Sequence, residues 1–402
     1  MSGQTQAAEE NAEARTGSAT REMPAAIAAS RRVPELDGLR GVAILQVVLL
    51  HFIADSKTGG FGTLLYRFSQ MFRLGWSGVD LFFVLSGFLI GGILLGARES
   101  PRYFKTFYTR RVHRILPIYY LSLTLFAIVV LAFGRNLPPP LPVGKEILGR
   151  LPFYFLFLQN LFPSTPVPIV GYWLSVTWSL AVEEQFYLAV PLLIRFLSAR
   201  RLVQVLIATL AVGPLLRWIT FVAPGHVFDK AYYVLMPCRA DALGLGVLAA
   251  IIWRSAEGRR WLQEHKKLLY GAMSFLACGM PIFLKWFQKE SIILVTIEYS
   301  WIALFYAVVL LVILSNTNGI LARAMRWGWL RELGTLSYTI YLIHLVILIL
   351  CSLWLLGTLP RITDWKGCAT IAVAAIITYG LAWLSWTYFE KPLVERGHRY
   401  KY

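Results

Sequence analysis

Apolar stretches long enough to cross a bilayer recur along the sequence, and this recurrence limits what the chain can fold into. A membrane-spanning helix needs about 20 mostly apolar residues, and such stretches lie at 36–56, 77–97, 114–133, 178–197, 201–222, 233–253, 267–286, 292–314, 334–356 and 368–389. Hydrophobic residues make up 57% of the chain and charged residues only 15%. The sequence therefore predicts an all-α, polytopic membrane protein with about ten transmembrane helices. A shorter apolar piece at 151–162 is predicted to be re-entrant or interfacial.

Lysine and arginine are concentrated in every second connection between these stretches. Because such residues mark the cytoplasmic side of a membrane protein, both termini are predicted to be cytoplasmic. This topology, with lipid as the surrounding partner, accounts for most of the net charge of +17. No nucleic-acid partner is needed to explain that charge.

The composition also suggests how the chain divides. Residues 1–33 are rich in Ala, Glu, Ser and Thr, and they are predicted to form a disordered cytoplasmic tail without a signal peptide. A transmembrane domain is predicted over 34–395, followed by a short basic cytoplasmic tail over 396–402. The four cysteines occur singly, without zinc-site spacing, so neither a metal site nor a disulfide framework is predicted.

Charged side chains inside the apolar stretches are the candidates for function, because each costs about 2.5–3.5 kcal/mol at the centre of a bilayer. Arg40 and His51 lie in the first stretch. At 100° per residue the spacing brings both to about the same helix face, roughly 16 Å apart along the axis. Asp37, three residues before Arg40, offers a local partner for the guanidinium group.

Acidic residues in later stretches add further candidates. Asp80 begins the second stretch, on the predicted extracytoplasmic side that also holds His51, so it can orient that histidine or act only as a helix N-terminal acid. Glu183 and Glu184 point about 100° apart, and Glu183 is preferred as the cavity-facing acid. Arg239 and Asp241 are interpreted as a structural ion pair. Gly87 with Gly91, and Gly92 with Gly96, predict close helix packing.

Seven segments resemble, in order, the signature segments of the acyltransferase 3 family. They are PELDGLRGVAILQVVLLHF, GVDLFFVLSGFLIGGIL, YTRRVHRILPIYYL, WSLAVEEQFYLAVP, CRADALGLGVLAA, LGTLSYTIYLIHLVIL and YFEKPLVER, and they run from about residue 33 to 397. The family comprises membrane O-acyltransferases that modify saccharides and other hydroxylated acceptors. The resemblance implies a multi-pass protein of the cell (inner) membrane. Its expected reaction moves an acyl group, most simply acetyl, from cytoplasmic acyl-CoA to a hydroxyl of a glycan or a lipid-linked saccharide.

The resemblance also suggests roles for individual residues. His51 is the expected general base, since histidine titrates nearest to working pH, and Arg40, Asp80 and Glu183 complete the expected catalytic set. Residues expected to bind the phosphates of acyl-CoA are Arg111, Arg114 and Arg110. From the sequence alone a positive-inside anchor is the favoured interpretation of these arginines, and the resemblance is what favours phosphate binding. Residues expected to bind the acceptor are Glu184, Tyr187, Trp178, His344, Tyr341 and Ser337, the last three of which could instead bond between helices.

Several alternatives stay open at the level of sequence. A proton-coupled transporter or flippase of a saccharide or anionic substrate also has charged residues at membrane depth. The retained His51, Arg40, Arg111 and Arg114 argue against a catalytically inactive scaffold. Transfer can be direct or can pass through an acyl-enzyme. No esterase-like domain follows the last stretch, so the stand-alone form is expected, with room for a separate extracytoplasmic partner protein.

Overall fold

The computed structural model describes residues 33–58, 62–133, 146–161, 170–223, 230–286 and 291–402, and this part of the chain is helical almost throughout. In chain order the helices are α1 (Pro34–Leu49), α2 (Gly62–Gln70), α3 (Gly78–Gly96), α4 (Tyr103–Phe133), α5 (Glu146–Phe155), α6 (Val170–Ser175), α7 (Trp178–Phe196), α8 (Ala199–Val222), α9 (Ala231–Val234), α10 (Met236–Arg254), α11 (Ala256–Glu264), α12 (Lys266–Trp286), α13 (Ile292–Ser315), α14 (Ile320–Met325), α15 (Gly328–Leu356), α16 (Trp365–Ser385) and α17 (Lys391–His398). The predicted tail over 1–33 lies outside the described residues, except for its last residue.

Shorter elements continue or connect these helices. Two π-helical segments, Leu50–Ala54 and Trp386–Glu390, continue α1 and α16. Two 3₁₀ segments, Arg73–Ser77 and Gln159–Leu161, precede α3 and follow α5. The short strands β1 (Lys57–Thr58) and β2 (Arg361–Ile362) pair in parallel, Lys57 with Arg361 and Thr58 with Ile362. This pairing joins the chain just after α1 to the connection between α15 and α16.

Eight helical segments of the described chain are long and apolar enough to span a membrane. They are Pro34–Ala54, Tyr66–Gly96, Tyr103–Ala132, Ala199–Val222, Ala231–Arg254, Ile292–Ser315, Gly328–Leu356 and Trp365–His398. The all-α, polytopic membrane fold is thereby confirmed.

The two remaining predicted spans also form long helices, although they are not among these eight. The stretch 178–197 forms α7, of 19 residues, and the stretch 267–286 forms α12, of 21 residues. Helix α7 contains two glutamates and an arginine, and α12 begins with two lysines, so both are more polar than a lipid-facing span. The piece at 151–162, predicted to be re-entrant or interfacial, contributes the end of α5 and the 3₁₀ turn Gln159–Leu161.

Close approach to two neighbours fixes the position of α1. A Cβ at Gly334 of α15 would overlap the backbone carbonyl of Asp37, and a Cβ at Gly41 would overlap the carbonyl of Leu330. On its other side α1 packs against α3. Helix α3 in turn meets α10, where a Cβ at Gly87 would overlap the backbone carbonyl of Leu243. The core helices are thus held at distances that only glycine permits.

The predicted glycine packing is therefore correct for one pair and wrong for the other. Gly87 and Gly91 both face α10, against Leu243 and Val247. A Cβ at Gly92 would have nothing within 4 Å, but Nη1 of Arg254 on α10 donates to the Gly92 carbonyl oxygen over 3.1 Å, and a Cβ at Gly96 would lie 3.1 Å from the Arg254 guanidinium. The second pair therefore meets α10 through the long Arg254 side chain and not through close backbone packing.

Candidate active site

His51 lies in the π-helical segment that continues α1. The backbone N–H of Asp55 donates to the carbonyl oxygen of Leu50 over 2.9 Å, which closes the wide turn. His51 Nδ1 lies 2.9 Å from Asp55 Oδ2, and the two side chains are 24% and 49% exposed. Because a carboxylate oxygen only accepts, Nδ1 carries the hydrogen and Nε2 keeps its lone pair in the neutral ring. A carboxylate-oriented histidine open to its surroundings is suited to general-base chemistry.

Asp80 does not orient His51, which corrects the sequence-based prediction. It is fully buried and accepts a hydrogen bond from Nη2 of Arg239. The Arg239 guanidinium lies over the ring of Tyr299, 4.2 Å from its centroid. Asp80 was placed at the correct end of α3, but its nearest cation comes from α10.

The expected pairing of Arg239 with Asp241 is also wrong. Asp241 Oδ2 lies 3.0 Å from Nη2 of Arg217, a residue of α8. Ser300 of α13 donates to the same oxygen over 2.5 Å. Two residues apart on α10, Arg239 and Asp241 face different neighbours, because side chains at that spacing diverge on a helix. Two ion pairs, Asp80–Arg239 and Arg217–Asp241, therefore join α3, α8 and α10, and Ser300 adds α13 by a hydrogen bond; we call them the buried ion pairs.

Three arginines converge at the other end of α1, and we call them the arginine cluster: Arg40, Arg111 and Arg114. The guanidinium groups of Arg111 and Arg114, on α4, act electrostatically on each other and on Arg40. Within the described part of the chain no hydrogen bond or close ion pair reaches any of the three, and Nε of Arg111 is buried without a partner. Guanidinium groups that keep their donors free at membrane depth have the charge and the hydrogen-bonding geometry to bind an anion.

Two glutamates stand close to the arginine cluster without neutralising it. Glu183 of α7 is within electrostatic range of all three arginines, and Glu390 is within range of Arg40 and Arg114. Glu390 is buried, and its Oε1 accepts hydrogen bonds from the hydroxyls of Thr339 (2.5 Å) and Ser385 (3.0 Å). These hydroxyls fix the carboxylate in place.

A chain of hydrogen bonds orients Glu183. The hydroxyl of Tyr187 donates to Glu183 Oε2 over 2.8 Å, so Ser86 Oγ, 2.7 Å from the same hydroxyl, donates to Tyr187. The Arg111 guanidinium lies 5.7 Å from the centroid of the Tyr187 ring. Glu184 interacts electrostatically with Glu183 and Arg111. The structure thus brings Glu183 and Tyr187 to the arginine cluster and not to His51.

Arg110 is separated from its neighbour Arg111. Its Nε and Nη2 donate to the backbone carbonyl of Tyr400 over 3.0 and 2.6 Å, and its guanidinium lies 5.1 Å from the centroid of the Tyr402 ring. Adjacent residues on a helix point about 100° apart, so the arginine cluster receives Arg111 and Arg114 but not Arg110. The expected role of Arg110 in binding acyl-CoA loses its geometric support.

The three candidate residues on α15, Ser337, Tyr341 and His344, make different kinds of contact. Ser337 Oγ donates to the carbonyl of Gly334 in its own helix over 2.9 Å. The Tyr341 hydroxyl lies 2.6 Å from Ser179 Oγ and 3.0 Å from the Val176 carbonyl, which favours the bond between helices as its role. His344 reaches His51, with 5.2 Å between the ring centroids.

Trp178 packs against other aromatic rings at the start of α7. Its ring centroid is 4.5 Å from that of Tyr233 and 6.1 Å from that of Phe83. Tyr233 interacts electrostatically with Asp55. Trp178 therefore lies in the half of the protein that contains His51.

A comparison with known families accounts for this arrangement. A family model described as an acyltransferase domain matches residues 33–387, nearly the whole described chain. The chain belongs to the acyltransferase 3 family.

Curated relatives of this acyltransferase 3 chain are longer than it is. It is similar to the putative peptidoglycan O-acetyltransferase YrhL of Bacillus subtilis, with 30% identity over 388 residues that cover 92% of this chain and 56% of the relative. The peptidoglycan O-acetyltransferase OatA of Listeria monocytogenes is 29% identical over 385 residues, covering 91% of this chain and 56% of the relative. The O-acetyltransferase OatA of Staphylococcus aureus is 26% identical over 396 residues, covering 92% and 58%. The chain thus spans little more than half the length of these relatives, and no solved structure matches it.

Two residues of the acyltransferase 3 site were not among the sequence-based candidates. Asp55 lies four residues after His51, a spacing that places side chains on one helix face, so a search for local partners of His51 would have found it. Glu390 lies near the C-terminus, and its approach to Arg40 and Arg114 depends on how α16 and the π-helical segment after it pack. No local pattern in the sequence indicates that contact.

Proposed function

We propose that this chain is the membrane acyltransferase part of an O-acetyltransferase that acts on a glycan of the cell envelope. The acyl donor is acyl-CoA, with acetyl as the expected group, and the acceptor is a hydroxyl of a glycan or a lipid-linked saccharide. The protein resides in the cell (inner) membrane. The observation that carries this proposal is the presence of two different polar sites at opposite ends of α1, an arginine cluster with free donors and a carboxylate-oriented histidine.

The arginine cluster supports phosphate binding on the predicted cytoplasmic side. Three positive groups that repel one another need a counter-anion at membrane depth. Asp37, Glu183 and Glu390 provide counter-charge, but the two glutamates are engaged by hydroxyl groups and neither forms a close ion pair with an arginine. Free guanidinium donors match the oxygen atoms of phosphate groups in geometry. The diphosphate of a coenzyme A thioester would bond to these free donors.

His51 and Asp55 support base catalysis at the other end. His51 Nε2 takes the proton of the acceptor hydroxyl as its oxygen attacks the thioester carbon, and Asp55 stabilises the imidazolium that forms. The new C–O bond forms and the C–S bond breaks, after which His51 returns the proton to the leaving thiolate. This sequence balances without a metal or a second cofactor, and it describes direct transfer. An acyl-enzyme route would add one further covalent step.

A row of side chains between the two sites supports their cooperation. Tyr341 interacts electrostatically with Glu183 on one side, and its ring centroid lies 6.0 Å from that of His344 on the other. The His344 ring in turn lies 5.2 Å from that of His51, centroid to centroid. We propose that the acyl arm of the donor runs from the arginine cluster past Tyr341 to His51, while the acceptor enters beside the exposed Asp55, on the side of His51 that His344 adjoins. An extracytoplasmic partner protein would then present the acceptor or accept the acylated product.

The test is acyl-CoA turnover by the purified protein in lipid nanodiscs, where both membrane faces are open. Coenzyme A release is measured with a panel of acyl-CoAs, with and without a soluble peptidoglycan disaccharide. We expect His51→Ala to lower kcat by roughly 10²- to 10⁴-fold. Arg111→Ala should mainly raise KM for the donor, because it removes an interaction with a part of the substrate that does not react.

Arg102→Ala is the matched control, because Arg102 is an exposed arginine close to α4 and outside the arginine cluster. It should leave both constants unchanged. Release that does not depend on His51 would contradict the proposed base. No release with any donor, combined with movement of the disaccharide across liposome membranes, would identify the chain as a transporter.

A further inference from the structure

His344 is a buried histidine whose surroundings leave one nitrogen without a partner. It is 0% exposed in the middle of α15. Its ring lies 5.2 Å from that of His51, 6.4 Å from that of Phe52 and 6.0 Å from that of Tyr341, measured between centroids. Nε2 is buried and has no hydrogen-bond partner among the described residues. Buried polar atoms almost always have a partner, so this nitrogen calls for an explanation.

The other nitrogen fixes the tautomer of His344. Nδ1 lies 3.0 Å from the carbonyl oxygen of Ile340 and 2.9 Å from that of Tyr341. Carbonyl oxygens only accept, so Nδ1 must carry the hydrogen. Charging a buried imidazole that has no carboxylate partner is unfavourable, so the ring is neutral and Nε2 holds a lone pair. His344 therefore presents a hydrogen-bond acceptor and no donor at this position.

The same logic applies to His51, with a different partner. Asp55 holds its Nδ1–H at 2.9 Å, so Nε2 of His51 is also an acceptor. Two neighbouring imidazoles, their planes tilted by 34°, thus carry lone pairs whose tautomers are fixed independently by the carboxylate of Asp55 and by backbone carbonyls. A molecule that satisfies both nitrogens must bring two hydrogen-bond donors close together.

We propose that His344 Nε2 accepts a hydrogen bond from a second donor of the acceptor saccharide, a hydroxyl or an amide N–H next to the hydroxyl that His51 deprotonates. This inference rests on the proposed function and names the chemistry by which the acceptor is chosen. A saccharide with two neighbouring hydrogen-bond donors can satisfy both Nε2 atoms. A saccharide with one isolated hydroxyl leaves Nε2 of His344 unpaired in the complex, and sites of this kind reject such analogues.

Two substitutions distinguish the role of Nδ1 of His344 from that of Nε2. In His344→Asn the amide can replace Nδ1 but does not reach the position of Nε2. In His344→Gln the longer side chain places its amide oxygen, an acceptor, near the position of Nε2. A residue needed only for packing or for the Nδ1 bonds would be replaced equally well or better by Asn. A residue needed for its Nε2 lone pair would be rescued by Gln.

Steady-state kinetics in nanodiscs, with acetyl-CoA and the soluble peptidoglycan disaccharide, give the first readout. We expect His344→Asn to raise KM for the disaccharide by roughly ten- to a hundredfold, because the substitution removes Nε2 and leaves a buried donor of the disaccharide without its hydrogen bond. KM for acetyl-CoA should stay within about twofold, and His344→Gln should recover most of the loss. Equal behaviour of the two variants, a change confined to the KM for acetyl-CoA, or no change at all would overturn the proposal.

A second measurement uses the native His344 and does not need turnover. Of the six histidines, the four other than His51 and His344 are changed to glutamine, and ¹⁵N NMR spectra are recorded on labelled protein. The Nε2 signal of His344 should move when the disaccharide is added without acetyl-CoA. If the signal moves only with acetyl-CoA, the hydrogen bond to Nε2 comes from the pantetheine arm. If it moves with neither compound, the partner of Nε2 is a bound water. Either result overturns the proposal, and because the measurement needs no turnover, it does so independently of the proposed function.

Discussion

Asp55 decides which nitrogen of His51 is free to act, because the bond from Nδ1 leaves Nε2 as the acceptor. We expect Asp55→Asn to lower kcat by roughly ten- to a hundredfold, less than the loss of the base itself. The amide no longer stabilises an imidazolium, and its N–H₂ group can favour the wrong tautomer. The Asp55 side chain is about half exposed, and water moderates the effect. Stopped-flow measurement of coenzyme A release gives kcat and KM separately.

Glu257→Gln is the control for Asp55→Asn, since Glu257 is an exposed acid on α11. It should leave kcat and KM unchanged. If Asp55→Asn raised only the KM of the saccharide and left kcat intact, Asp55 would be a contact for the acceptor and would not be the group that orients His51.

At the scale of single residues, the sequence predicted the ends of the site better than its pairings. The proximity of Arg111 and Arg114 follows from helix geometry alone. The shared face predicted for Arg40 and His51 assumed a regular α-helix, whereas His51 lies in the π-helical segment after α1. The partner of Asp80 could not be predicted, because Arg239 is 159 residues away and only the packing of α10 on α3 brings it near. Pairing at membrane depth is set by which helices are neighbours, and a single sequence does not record that.

Helix α1 owes its position to backbone contacts with α15, and this makes Gly334 a test at the level of the element. A Cβ at Gly334 would overlap the Asp37 carbonyl. We expect Gly334→Ala to push α15 away from α1, to destabilise the protein by about 1–3 kcal/mol, and to lower activity by separating His344 from His51. Thermal unfolding of the detergent-solubilised protein gives the stability.

Gly92→Ala is the control for Gly334→Ala, since it makes the same substitution at another helical glycine. Gly92 lies inside α3, and a Cβ added there would have no described atom within 4 Å, so the methyl group meets open space. Stability should be unchanged or raised by up to about 1 kcal/mol, as the helix propensity of alanine predicts. If both glycine variants unfolded at the same temperature as the native protein, the contact between α1 and α15 would be looser than the backbone positions indicate.

At the scale of elements, hydropathy predicted most of the helices but not their irregular ends. The π-helical segments Leu50–Ala54 and Trp386–Glu390 each contain a site residue, His51 and Glu390. No composition signal marks such a segment, because the extra residue in the turn is accommodated by packing around it. The polar character of α7 was visible as two adjacent glutamates, and it reflects a helix that faces the arginine cluster.

Across the whole molecule, the polar groups at depth separate into three sets with different roles. The arginine cluster and the His51–Asp55 pair lie at opposite ends of α1 and keep donors or lone pairs free, which suits binding and catalysis. The buried ion pairs tie together α3, α8 and α10. The sequence revealed that charged residues lie inside the membrane domain, but it did not show which of them pair with one another. That distinction comes from the packing of the entire bundle.

Asp80 tests this division, since the sequence analysis placed it in the catalytic set and the structure places it in a buried ion pair. Asp80→Asn leaves the Arg239 charge without its counter-charge, and we expect it to destabilise the fold by about 3–5 kcal/mol. Combining Asp80→Leu with Arg239→Met removes both charges and should cost much less. Glu99→Gln, which alters an ion pair at an 87% exposed side chain, should shift the melting temperature very little.

Melting temperatures and coenzyme A release, measured on the same preparations, distinguish the two roles of Asp80. A structural role predicts a low melting temperature for Asp80→Asn, with stability and turnover both recovering in the double variant. A catalytic role predicts the reverse, a variant as stable as the native protein that no longer releases coenzyme A, with no rescue when Arg239 is also replaced. Because the ion pair is fully buried and His51 already has Asp55 as its partner, we expect stability and activity to fall and recover together.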